Sequence, residues 1–231
     1  TWMAGLKLDA ELTVATDATL TLIASELHGT RLIVHGYAAL EQVHFSACAT
    51  DCLVDEGGQG LSLRSCRFSD SAGTGLRVDA CAGGAPIEIQ STVFERLGTG
   101  IEVSCDQPLV VRHATFDRND YGVVFASGSN HVVESSIFTG HSAQAVTCNA
   151  ATFASRRAQV LFGNASDGCL SGDPENLLAD PDYLFPEARD LRLSPGSPAL
   201  DSAADDGLDL NGDAPGDWFG AGPDRGGCET E

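Results

Sequence analysis

Phe45, Phe68, Phe94, Phe116 and Phe138 are separated by 23, 26, 22 and 22 residues, and aligning the chain on them exposes columns of similar side chains. Seven and five residues before each Phe stand Ala38 and Leu40, Leu61 and Leu63, Ile87 and Ile89, Leu109 and Val111, and His131 and Val133. This alternation of period two predicts a strand with one buried face, and no stretch of the unit has helical periodicity. Two residues before each Phe comes a smaller side chain: Val43, Cys66, Thr92, Ala114, Ser136. Seven or eight residues after it comes another apolar column, Leu53, Leu76, Ile101, Val123 and Val146. Gly75, Gly100 and Gly122 precede three of these, where a tight turn would call for positive φ.

A unit of roughly 22 residues with two or three short strands cannot bury its own apolar face. Stacking successive units as rungs closes a continuous core and pairs their backbones. The expected architecture is therefore all-β, a right-handed parallel β-helix of about six to eight rungs. A β-sandwich would instead show hairpin turns every 8–12 residues and no fixed long period. Leu12, Val14, Leu20, Leu22, Leu27, Leu32 and Val34 read as one or two earlier rungs in poorer register, and Val160 and Phe162 as late strand residues. The rungs are expected over residues 1–170, with an irregular, Asp/Pro/Gly-rich capping segment and tail over 171–231.

Four residues before each Phe lies an outward column, Glu41, Arg64, Gln90, Arg112, Glu134. At a rung spacing of about 4.8 Å such neighbours pair along the column. Arg77 and Glu102 occupy matching positions on another face and are expected to pair likewise. The competing use of Arg64 and Arg112, with His113 beside them, is a groove for an acidic polysaccharide. In a lyase or epimerase one of these groups would abstract a proton while a cation neutralises the carboxylate. The six histidines form no column, and His131, in place of a core leucine, reads as a partly buried, hydrogen-bonded group. Glu95 and Asp117 share an outward offset in adjacent rungs and could do acid and base work, but Arg96 and Arg118 follow them and are expected to neutralise them.

Charge narrows the field. With 33 acidic and 13 basic residues the net charge is −20, which argues against a nucleic-acid partner. Lys7 is the only lysine, so chemistry that needs one must use it. No apolar run approaches the ~18 residues of a membrane span. Eight cysteines without a Cys-x-x-Cys spacing point to an oxidising, extracellular or cell-surface setting. The expected bridges are Cys81–Cys105, Cys148–Cys169 and Cys48–Cys52, with Cys66 a buried thiol in the small inward column.

From about Gly172 the repeat stops. Ala179-Asp180-Pro181-Asp182-Tyr183-Leu184-Phe185, then Leu193-Ser194-Pro195-Gly196-Ser197-Pro198-Ala199-Leu200-Asp201, resembles the closing segment of bacterial extracellular right-handed parallel β-helix repeat proteins of the pectate-lyase-like superfold. The terminal Asp224-Arg225-Gly226-Gly227-Cys228-Glu229 is similar to that group's ending, with Cys228 in place of an aromatic. The resemblance implies a secreted or surface-attached protein and leaves function open, since such proteins include polysaccharide lyases, epimerases, adhesins and modules with no known activity. The chain has no Asp-Pro-His, Gly-His-Gly or Arg-Ile-Lys motif of the enzymatic relatives. In the tail, Asp209, Asn211 and Asp213 alternate as oxygen ligands do in calcium loops, although Ala214 and Gly220 depart from the full signature. No cofactor is required, and the tail reads either as a plain Asp-rich turn or as a calcium site. Two functions remain: a non-catalytic scaffold or weak glycan binder, and a lyase or epimerase acting on an acidic glycan.

Overall fold

The computed structural model describes residues 2–4, 7–8, 10–80 and 85–200. Its chain winds as a parallel β-solenoid with three faces. The first face is an eight-stranded sheet running from Trp2–Ala4 through Thr19–Ile23, Tyr37–Glu41, Gly60–Arg64, Ile87–Gln90, Leu109–Arg112 and His131–Glu134 to Phe153–Arg157. The second face carries the phenylalanines, from Lys7–Leu8 to Val160–Phe162, and the third runs from Leu12–Val14 to Gln144–Cys148. Arg67–Ala80 and Val93–Val103 are continuous through the corner between these two faces, which joins them into one 13-stranded sheet.

The phenylalanine column is real. Phe45 pairs in register with Phe68, Phe68 with Phe94, Phe94 with Phe116 and Phe116 with Phe138. Their rings stack at centroid distances of 4.6, 4.8, 5.0 and 4.6 Å, within 5° of parallel. Leu27 precedes and Leu161 follows in the same column. The early rungs are as regular as the later ones: Leu20 and Leu22 pair with Ala38 and Leu40, and Leu32 with Leu53. Among the described residues there is no α-helix, only one 3₁₀ turn at Pro186–Ala188.

The corners are made by residues that no glycine count reveals. Three positions before each column residue the backbone is left-handed at Ala24, Gln42, Ser65, Ser91, His113, Ser135 and Ala158, and two positions after it at Ala47, Asp70, Arg96 and Arg118. Gly75, Gly100 and Gly122 are not among the positive-φ residues. They are required for a different reason. A Cβ on Gly100 would meet the Gly122 carbonyl at 2.5 Å and the Phe116 ring at 2.9 Å, and one on Gly122 would meet the Ala145 carbonyl at 2.4 Å. Glycine lets one rung lie close against the phenylalanine of the next.

Stacked corners must also satisfy their buried amides. Ser71 and Asn119 accept from the N–H groups of Cys48 and Leu97, both at 2.9 Å, and Asn164 from that of His141 at 3.2 Å. Asn119 and Asn164 donate in turn to the carbonyls of Phe94 and Phe138, each at 3.0 Å. In the small inward column Thr92, Ser136 and Gln159 accept from the N–H groups of Cys66, Ala114 and Ser136.

Beyond the rungs, Tyr183–Phe185 and Asp190–Leu193 form an antiparallel pair. This hairpin folds back on the second face, where Leu193 and Ala199 pack with Ile137 and Val160. Cys48–Cys52 and Cys148–Cys169 are disulfides. Cys105 is also disulfide-bonded, and its expected partner Cys81 lies outside the described residues. Cys66 is a free buried thiol, pushed up to about 12 by burial.

Candidate functional site

The outward column of the first face has the expected register. Glu41, Arg64, Gln90, Arg112 and Glu134 are successive partners, continued by Arg157. Glu134 is 6% exposed and accepts from Arg112 Nε and Arg157 Nε, both at 3.1 Å, and from the Ser155 hydroxyl. Burial alone would raise its pKa, but these three donors outweigh it and hold the carboxyl below its ordinary value. Arg112 is thereby committed to a network inside the ladder. Depressions of about 120 Å³ beside Arg112 and about 260 Å³ beside Arg64 lie on this face.

His113 does not join Arg112. The left-handed backbone at 113 (φ 51°) breaks the strand alternation, and the imidazole is packed away with 3% exposure. A histidine in that corner cannot meet a sugar lying on the first face. His131 is fully buried rather than partly so; its Nδ1 accepts from the Leu109 N–H at 3.2 Å, its Nε2 lies 3.3 Å from the Ser127 carbonyl, and burial lowers its pKa.

The second face holds the carboxylate pair. Glu95 and Asp117 are register partners, 1% and 5% exposed. Glu95 is neutralised by Arg67, whose Nε and Nη2 donate to one oxygen at 3.1 and 2.9 Å, and not by Arg96, which faces Asp70 at 3.9 Å. Asp117 accepts from the Thr139 hydroxyl at 2.7 Å and has Arg118 Nε at 3.7 Å. Burial raises its pKa against both of these contacts. On the third face Arg77 and Glu102 are in register, but Arg77 donates to Asp51 and Asp79 at 2.9 and 2.8 Å.

Electrostatics pin the hairpin across this second face. Arg67 donates to the Arg189 carbonyl at 2.9 Å, Arg189 to Asp70 at 3.0 Å and Arg118 to Glu187 at 2.8 Å. Between the hairpin and the last rungs lies a slot of about 210 Å³, with Asp117 in its wall. Sequence reasoning missed this slot, because nothing in the repeat pattern shows where the following segment lands.

Pairs of in-register parallel strands repeated around three faces are the geometry of a β-helix, and the right-handed β-helix region family model matches residues 17–164. The chain belongs to this family. Searches of curated proteins and of solved structures return no match. The β-helix assignment gives the hand of the solenoid and its rung-by-rung stacking, and leaves function to the side chains placed on its faces. Asp209, Asn211 and Asp213 lie outside the described residues, and among the described residues no cluster of three His, Cys, Asp or Glu could hold a metal. No helix among the described residues is long and apolar enough to cross a membrane.

Proposed function

We propose that this chain is a non-catalytic β-helix module of an extracellular or cell-surface protein, a rigid scaffold that binds glycan weakly. One observation carries the proposal: of the groups a lyase or epimerase would use, Arg112 is engaged by a carboxylate, and His113, Glu95 and Asp117 are buried. Arg112 is held by Glu134, His113 is buried in a corner, and Glu95 and Asp117 sit under the hairpin with Arg67, Thr139 and Arg118 as partners. A proton-abstracting base must reach its substrate within hydrogen-bond distance, and none of these faces open solvent with a free lone pair beside a free cation. The disulfides are in keeping with an oxidising compartment. Incubation with alginate, pectate and glycosaminoglycans, followed by absorbance of unsaturated uronate products, tests this. No product is expected; product formation that disappears in Arg112→Ala would establish the lyase instead.

A further inference from the structure

The slot under the hairpin is built from both sides. Its inner wall is three register partners on successive rungs, Asp117, Thr139 and Phe162. Its outer wall is Pro181, Tyr183 and Pro186 of the closing segment. Phe162 is 43% exposed although it extends the second face, so an aromatic ring lies open at a cleft. Asp117 lends one oxygen to Thr139, while its Oδ2 is 3.7 Å from Arg118 Nε, beyond hydrogen-bond range, and keeps acceptor capacity.

The corner glycines at the slot point the same way. Gly140 and Gly163 (φ 65° and 67°) occupy a column that begins with Gly29 and Ala47 (φ 62° and 53°) and continues with Asp70, Arg96 and Arg118 at φ 53°, 52° and 53°. Left-handed backbone alone therefore does not demand glycine there. Nor does packing at Gly163, where a Cβ would meet nothing nearer than 3.9 Å. The missing side chains leave the slot open.

We infer that this slot binds a single neutral pyranose ring of a glycan, stacked on Phe162 and hydrogen-bonded through a hydroxyl to Asp117. The inference rests on the glycan-binding part of the function proposed above and gives it a location. A volume of about 210 Å³ lies below the ~300–1,000 Å³ of drug-sized sites, which suits one ring. A uronate or phosphate would meet the carboxylates of Asp117 and Asp180, with Arg118 already engaged by Glu187. An ammonium would meet the Arg118 guanidinium beside the same Asp117. A ligand with hydroxyl donors and an apolar C–H face avoids both conflicts.

Saturation-transfer NMR with methyl glycosides of glucose, galactose, mannose and N-acetylglucosamine, on the full chain, tests this. Transfer to the ring protons of at least one glycoside is expected. It should be lost in Phe162→Ala and in Gly163→Asn, the latter filling the slot with a residue that tolerates left-handed backbone, while both variants melt close to the parent. Arg112→Ala, on the first face, should leave it unchanged. No transfer from any glycoside, or transfer undiminished in both slot variants, would overturn the site. Loss in Arg112→Ala alone would place glycan on the first face, which removes this slot but keeps the binding module. Uronate release in the lyase assay would remove the module itself.

Discussion

His141 sets an acid limit on this solenoid. It is 1% exposed, its Nδ1 donates to the Asn119 carbonyl at 3.2 Å, and its Nε2 is buried with no partner among the described residues. Burial pushes the imidazole down to about 4 from an ordinary 6.5. A base whose folded pKa is depressed contributes stability that is present above its unfolded value and lost as pH falls toward the folded value. The shift corresponds to a loss of about 2 kcal/mol at pH 5 and about 3 kcal/mol near pH 4. His141→Asn isolates this effect, because Asn119 and Asn164 already fill the same column and an Asn amide can still donate to the carbonyl. Denaturant unfolding at pH 7, 6, 5 and 4 should show the wild type losing about 2 kcal/mol more than the variant between pH 7 and 5. The comparison between the two proteins matters, since the raised pKa values of Asp55 and Asp117 act in the opposite direction in both. Parallel pH profiles would refute a neutral, desolvated His141.

Other perturbations test the packing directly. Phe94→Ala removes the middle ring of the stack, between Phe68 and Phe116, and should cost about 3–5 kcal/mol in denaturant unfolding. Gly100→Ala should cost about 1–3 kcal/mol although no positive φ is involved, because the methyl meets a carbonyl at 2.5 Å; unchanged stability would mean that the rungs separate freely. Breaking Cys148–Cys169, whose cysteines are 21 residues apart, should lower stability by about 3 kcal/mol, read as a fall in melting temperature of a Cys148→Ser/Cys169→Ser double variant. Asp55 is wholly buried, accepts from the Gly58 N–H at 2.6 Å and carries a pKa raised by burial, so its stabilisation is complete below its ordinary value and fades as pH rises. Asp55→Asn should therefore raise the melting temperature at pH 7 and leave it nearly unchanged at pH 3.

The solenoid was legible because its core repeats. Columns two, five and seven residues before each phenylalanine are apolar or small in nearly every rung, and stacking alone converts that into register. The corners were not legible. A left-handed position filled by Gln42, Ser65, Ser91 or His113 has no composition in common, so hydrophobic spacing carries no trace of it. The interior ladder of Ser71, Asn119 and Asn164 was available in principle as a polar residue three after the column position, but Leu97 and His141 interrupt it. Partners of outward groups were read correctly where they lie straight along a strand ladder, as Arg112 with Glu134, and wrongly where a flexible guanidinium reaches across a corner, as Arg77 to Asp51. The slot depends on a hairpin whose docking is set by Arg67, Asp70 and Arg118, residues up to 122 positions away in sequence.

The distribution of positive charge bears on what such a surface can bind. Arg31, Arg67, Arg77, Arg96, Arg112, Arg118, Arg157, Arg189 and Arg192 each lie within 4.0 Å of a carboxylate. The solvent-exposed pairs among them, such as Arg192 with Asp190, add little stability, at about 0–1 kcal/mol each. Their consequence for recognition is larger. A polyuronate approaching a chain of net charge −20 meets long-range repulsion, and to gain any of these nine guanidinium groups it must displace a carboxylate already in place. A neutral sugar meets neither obstacle, because stacking on an aromatic ring and a hydroxyl hydrogen bond to a carboxylate need no spare cation. The same charge balance that makes an acidic glycan a poor partner therefore leaves a neutral one unopposed.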